Sequence, residues 1–225
     1  MTVADTTSGP TLVQVFAKAP VPGQVKTRLI PALGVEGATD LYCRLLRRTL
    51  VTAALGCVGP TEVWTTEPGE SAFVETGHRM LGLQVHLQPE GDLGRRMCAA
   101  AQHGLRRFAA VIIVGIDCPT MLSGDLRAAH QALAERDEVV LGPAEDGGYW
   151  LLGLTRCDPA LFEGVSWGSS GVLEATRARL RALGWRWREL ATRWDVDRPE
   201  DLARLAATQT LSTLLPDLAL TPDRA

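Results

Sequence analysis

Both lysines of this 225-residue chain, Lys18 and Lys26, fall in one segment: Val15-Phe16-Ala17-Lys18-Ala19-Pro20-Val21-Pro22-Gly23-Gln24-Val25-Lys26-Thr27-Arg28-Leu29. Every other cation apart from histidine is an arginine. Pro20, Pro22 and Gly23 shape a loop. Lys26 and Arg28 then offer a point charge and a forked donor set suited to phosphate oxygens. Solvated surface cations are the alternative. The spacing matches neither G-x-x-x-x-G-K-[ST] nor G-x-G-x-x-G, which excludes an ordinary P-loop and a dinucleotide fingerprint.

Three acidic segments complement this loop. Gly115-Ile116-Asp117-Cys118-Pro119 follows an apolar run, so Asp117 is positioned to hold Mg²⁺ or Mn²⁺ through hard oxygens, or else to cap a turn. In Gly142-Pro143-Ala144-Glu145-Asp146-Gly147-Gly148-Tyr149-Trp150, Asp146 or Glu145 is a candidate base or acceptor anchor. Gly147 and Gly148 let backbone approach a ligand closely. A tight Asp-Gly-Gly turn is the competing reading. In Trp194-Asp195-Val196-Asp197-Arg198-Pro199-Glu200-Asp201, Asp195 and Asp197 alternate and share one side of an extended chain. They are candidates to share a metal with Asp117, with Asp197 also capping the helix at Pro199. Trp167-Gly168-Ser169-Ser170 either lines a sugar or base pocket or combines helix capping with packing.

The elements that must position these groups alternate between two periodicities. Strands are expected at Leu12–Phe16, Glu62–Thr66, Leu83–Leu87, Ala110–Gly115, Val139–Leu141, Tyr149–Leu154 and Trp185–Leu190. Ala38, Leu41, Tyr42, Leu45, Leu46, Leu50 and Ala53 mark an amphipathic helix. Further helices are expected around Ser71–Met80, at Gly94–Phe108, from a Ser123 cap through Ala134, at Ser169–Leu183 before Gly184, and at Pro199–Ala207. This alternation predicts an α/β fold, a mostly parallel central sheet with helices on both faces. Ligands then sit beyond the carboxyl ends of the strands. The expected organisation is a flexible N-terminus at 1–10, one domain over 11–207 and a C-terminal tail at 208–225.

Composition limits the partners. The formal net charge is −3, which provides no overall basic field for nucleic acid. Cys43, Cys57, Cys98, Cys118 and Cys157 are odd in number and widely spaced, against a disulfide framework or a structural zinc site. His78, His86, His103 and His130 show no ligand spacing and read as structural. The first ten residues lack an apolar signal region, and the apolar stretch Phe108–Ile116 is too short to span a bilayer. The expectation is a cytoplasmic protein, monomer or homodimer, with no membrane partner.

Taken in order, Phe16–Leu29, Gly91-Asp92-Leu93-Gly94-Arg95-Arg96-Met97, Gly115–Pro119, Gly142–Tyr149 and Trp194–Leu202 resemble a bacterial family of nucleotide-diphospho-sugar transferase-like proteins, often labelled arsenosugar-biosynthesis glycosyltransferases. The resemblance implies a single Rossmann-like GT-A domain that binds a nucleoside diphosphate and a divalent metal. It implies Lys26 and Arg28 near phosphates, and Gly91, Asp92, Gly94 and Arg95 near the nucleoside; Lys18, nearer the strand, serves the nucleotide or only the loop. It implies Asp117 as a metal ligand, Asp195 and Asp197 as a late acidic pair, and Gly147, Gly148, Trp167 and Ser169 near the acceptor. Family members commonly read Trp-Ser-Thr where this chain has Trp167-Gly168-Ser169, and Cys118-Pro119 after Asp117 breaks a strict D-x-D.

The leading expectation is metal-dependent transfer of a sugar from a nucleoside-diphosphate-sugar donor to a small-molecule acceptor. The first alternative is a nucleotidyltransferase acting on a phosphorylated small molecule, since the Lys18…Lys26-Thr27-Arg28-Leu29 pattern also resembles guanylyltransferases. The second is a non-catalytic nucleotide-binding module.

Overall fold

The computed structural model describes residues 9–66 and 83–215. The helix expected around Ser71–Met80, and His78, lie outside the described residues. Seven strands form one sheet: β1 (Thr11–Ala17), β2 (Thr61–Thr65), β3 (Gln84–Leu87), β4 (Ala110–Val114), β5 (Val139–Pro143), β6 (Tyr149–Leu154) and β7 (Trp187–Glu189). Their order is β3-β2-β1-β4-β6-β5-β7, and only β6 runs antiparallel to its neighbours. The expected mostly parallel α/β sheet is therefore present.

Helices cover both faces because both faces are apolar. Along β1, Val13 and Val15 join one core with Ile112, Val114, Tyr42, Leu46, Leu126 and Leu133. That core packs α1 (Ile30–Gly56) and α3 (Ser123–Ala134) on the sheet. Leu12 points the other way and joins Val111, Ile113, Leu152, Met97, Ala101, Leu173 and Leu180 beneath α2 (Leu93–Leu105) and α4 (Val172–Leu183). All five residues of β4 are buried, as expected for a central strand covered on both sides. A third cluster packs Leu41 and Leu45 of α1 against Trp194, Val196, Leu205 of α5 (Pro199–Ala207), and Leu211, Leu214 and Leu215. It fixes the chain just before and after the Asp195–Asp197 segment.

Element ends differ from the expectations in informative ways. The last strand is shorter than Trp185–Leu190 because the Trp185 N–H donates to the Leu180 carbonyl, closing α4 at Gly184 (φ +68°). Helix α4 begins at Val172, because Ser166–Gly171 is occupied by turns. Ser123 lies inside the first turn of α3; the cap comes from Asp125, whose carboxylate accepts the Leu122 N–H at 2.7 Å. At α5 the capping carboxylate is Asp201, which accepts the N–H groups of Arg198 (2.7 Å) and Asp197 (2.9 Å). Asp197 is thereby released from the capping role expected of it. All five cysteines are free thiols. Among the described residues no helix is long and apolar enough to cross a membrane.

Candidate active site

The segments that follow neighbouring strands β1 and β4 border a cleft of about 520 Å³. Its walls include Lys18, Lys26, Arg28, Tyr42, Arg96, Asp117 and Asp197. A larger groove, about 780 Å³, crosses α1 and the start of α3 beside Arg44, Arg47 and Arg48. Of the acids singled out for chemistry, none lines that groove, so the smaller strand-end cleft is the candidate site.

Lys26 is the hub of this cleft. Its backbone is left-handed (φ 46°), which turns the side chain inward. Nζ lies 2.5 Å from Asp117 Oδ1 and 3.9 Å from Asp197 Oδ1, and it donates to the Val196 carbonyl. The Val196 N–H in turn donates to the Asp117 carbonyl at 2.8 Å. The loop after β1, the loop after β4 and the 195–197 segment are thus tied together by one lysine and one backbone bond. The Lys26 side chain is only 3% exposed, whereas those of Asp117 and Asp197 are nearly half exposed. Lys26 is therefore an internal counter-ion, and the exposed cations are Lys18, Arg28 and, at intermediate exposure, Arg96. Arg28 meets Asp197 at 2.5 Å.

Asp195 completes the acidic group. Its Oδ1 is closed off from water and, among the described residues, has no hydrogen-bond partner. Burial, followed by the charges of Asp117 and Asp146, pushes its acid up to about 7. Hard carboxylate oxygens, one of them unpartnered and raised by repulsion, are a donor set that fits Mg²⁺ or Mn²⁺. In this arrangement Lys26 takes the neutralising role. Among the described residues, the one group of three ligand atoms within 4.8 Å of each other is Glu62, His86 and His103, not Asp117, Asp195 and Asp197. Cys118, beside Asp117, is buried and its thiol is pushed up to about 11, which removes it as a nucleophile.

The Glu145–Gly148 loop divides the two candidate bases. Arg204 grips Glu145 with two bonds, of 2.6 and 2.9 Å, and holds its carboxyl below the usual range. Asp146 is exposed; its Oδ1 accepts the Gly148 N–H at 2.9 Å, so the tight turn and the free acid coexist. Gly147 has φ +88°, and a Cβ there would lie 2.0 Å from the Ser170 carbonyl oxygen. Its own carbonyl accepts the Leu173 N–H, pinning this loop to the start of α4. Ser169 is used in that turn, donating to the Ser166 carbonyl at 2.7 Å.

On the opposite wall, Asp92 caps α2 by accepting the Arg95 N–H at 2.8 Å. Arg95 is exposed, while its neighbour Arg96 lines the cleft and carries a buried Nε without a partner among the described residues. Of Gly91, Asp92, Gly94 and Arg95, none lines the cleft; Gly94 instead admits the indole of Trp167, whose ring would lie 2.5 Å from a Cβ at that position. Trp167 also meets Tyr149 edge-on at 6.5 Å, and its buried Nε1 has no partner. Arg96, Tyr42 and Gln88 are cleft residues that sequence reasoning missed. Only Arg96 had a signal, being the second of a pair whose first member received the assignment.

Residues 49–169 match a family described as an uncharacterized protein conserved in bacteria, DUF2064. No curated protein matches the sequence. Among solved structures, the chain is similar to a protein from Desulfovibrio desulfuricans G20 provisionally described as a nucleotide-diphospho-sugar transferase: TM-score 0.81, 26% identity, 93% of this chain and 92% of that one. It is similar in fold to the inositol-1-phosphate CTP transferase of T. maritima, with TM-score 0.61 and 12% identity over 95% and 98% of the two chains. The manganese complex of Rv0371c from Mycobacterium tuberculosis H37Rv gives TM-score 0.52 and 17% identity over 88% and 99%. The fold is thus that of GT-A-like sugar and nucleotidyl transferases.

Proposed function

The chain belongs to the DUF2064 family, and on that premise we propose that it is a transferase moving a sugar from a nucleoside-diphosphate donor to a small acceptor. The observation that carries this reading is the convergence of Asp117 and Asp197 on Lys26 in the wall of the cleft, with the raised acid of Asp195 coupled to them. The likeness to the D. desulfuricans protein supports the donor class.

In this reading the diphosphate lies between the loop after β1 and the start of α2. Lys18, Arg28 and Arg96 neutralise its oxygens. Asp117, Asp195 and Asp197 would hold Mg²⁺ or Mn²⁺; when bound, the ion stabilises negative charge on the diphosphate leaving group. The manganese complex of Rv0371c supports that choice of ion. The acceptor lies beside Gly147, Gly148 and Trp167. Asp146 orients its hydroxyl and takes the proton as the oxygen bonds to the anomeric carbon and the sugar–phosphate bond breaks. Glu145 is already committed to Arg204, so Asp146 is the better base. Ser169 contributes through its turn and not through a free hydroxyl. Lys26 holds the acids in register from behind. The substrates are then a nucleotide sugar and a small acceptor, with no part for nucleic acid or a membrane.

A panel of nucleotide sugars with Mn²⁺ or Mg²⁺, read by nucleoside-diphosphate release, tests this. Asp117→Ala is expected to lower turnover by about 10³-fold, the scale of losing a main electrostatic stabiliser, with melting little changed. Near-normal turnover in that variant would remove Asp117 from the chemistry. Pyrophosphate release from a nucleoside triphosphate would instead assign nucleotidyl transfer to the same cleft.

A further inference from the structure

A second polar cluster lies away from the cleft, where edge strand β3 meets β2 and the C-terminal half of α2. Glu62 of β2 is 3% exposed, although it is a carboxylate on a sheet face. Trp64 and His86 are register partners across β2 and β3, and Glu62 is two residues from Trp64, so all three share one face. His103 comes down from α2 onto the same face, with its ring 5.0 Å from that of His86 and 5.6 Å from Trp64.

The unused atoms of this cluster face one another. Glu62 Oε2 and His86 Nε2 are 3.3 Å apart, an ion-pair contact when His86 is protonated; both are closed off from water, and among the described residues neither makes a hydrogen bond. One ligand atom from each of Glu62, His86 and His103 lies within 4.8 Å of the others. Around a tetrahedral ion with metal–ligand bonds of about 2.1 Å, neighbouring ligand atoms lie about 3.4 Å apart. The Glu62–His86 pair already has that separation.

The surroundings suit an ion as well. Arg107 donates to the other carboxylate oxygen, Glu62 Oε1, at 2.7 Å. It orients the carboxylate and leaves Oε2 free, as outer partners of metal-bound carboxylates do. Trp64 stacks on His86 at 4.9 Å and fixes its ring plane. Arg106 touches His103 Nδ1 at 3.3 Å on the exposed rim. We propose that Glu62, His86 and His103 form a binding site for one divalent transition-metal ion of the Zn²⁺ type, separate from the nucleotide cleft, which ties edge strand β3 to α2. Two imidazoles and one carboxylate favour Zn²⁺, Co²⁺ or Ni²⁺ over Mg²⁺, and three protein ligands leave a fourth position for water.

The test is calorimetric titration of the metal-free full-length protein with Zn²⁺, with Co²⁺ absorption as a geometric readout. Wild type is expected to bind one equivalent with micromolar or tighter affinity and to give an intense tetrahedral Co²⁺ spectrum. His103→Gln and His86→Gln should each weaken binding at least ~10-fold. Asp117→Ala should leave it unchanged. His103 is partly exposed, so His103→Gln decides the matter if His86→Gln fails to fold. No binding, unaltered affinity in His103→Gln, or loss of binding in Asp117→Ala would overturn the proposal.

Discussion

The acids around Lys26 and the single acid beside Arg107 meet the same electrostatic problem with different inventories. At the strand ends, Asp117, Asp195 and Asp197 share one buried lysine and, at Asp197, the exposed Arg28, so three acids face two cations. At the β2–β3 edge, one carboxylate has an arginine to itself and two imidazoles beside it. The first arrangement suits hard cations and phosphate. The second suits a borderline metal ion. The contrast shows that net charge and donor type, rather than carboxylate count, separate the two sites.

Removing the counter-ion from each site tests that contrast. Lys26→Met leaves the acids facing each other without their buried partner. It is expected to destabilise the protein by about 3 kcal/mol, or roughly 10 °C in melting temperature. Arg107→Met removes a cation that is 37% exposed, and His86 remains beside Glu62. The expected loss is smaller, about 1 kcal/mol, and Zn²⁺ should restore it. Equal losses in metal-free buffer, read by thermal melts, would break the distinction.

A kinetic contrast follows within the cleft wall. Arg96→Ala should raise KM for the nucleotide donor about 10-fold, since Arg96 lines the cleft and Arg95 does not. Arg95→Ala should leave KM within about two-fold.

A further expected effect concerns pH. The acid of Asp195 is raised to about 7 in the folded protein, against about 3.9 unfolded. The folded state therefore binds the proton more tightly, and Asp195 costs stability increasingly as pH rises from about 4 to 7. Asp195→Asn should raise the melting temperature of the metal-free protein by several degrees at pH 8 and by almost nothing near pH 4. A pH-independent change would show that Asp195 does not carry the excess charge.

The sheet was largely legible because its inner strands are buried on both faces and read as apolar runs, as at Ala110–Val114. Strand-end logic likewise led to Asp117, Asp195 and Asp197. Details that depend on side-chain direction were not legible. Nothing in the spacing of Lys26 announces its left-handed backbone, so its burial as counter-ion is a tertiary fact. Arg95 and Arg96 differ only in helical phase. Asp197 and Asp201 both suit a helix start, and Arg28 decides between them by pairing with Asp197. The second cluster was invisible for a simpler reason. Glu62, His86 and His103 come from three elements, with no spacing that marks them as ligands, and the histidines read as structural.

The central claim is that the Lys26-centred acids and the cleft beside them form a metal-assisted nucleoside-diphosphate site. The most direct measurement is the melting temperature of wild type, Asp117→Asn and His103→Gln with nucleoside diphosphates, with and without Mn²⁺. The account predicts a rise with nucleotide and Mn²⁺ together that exceeds either alone, persists in His103→Gln and disappears in Asp117→Asn. A rise that survives Asp117→Asn, or no rise with any nucleoside diphosphate, would contradict it.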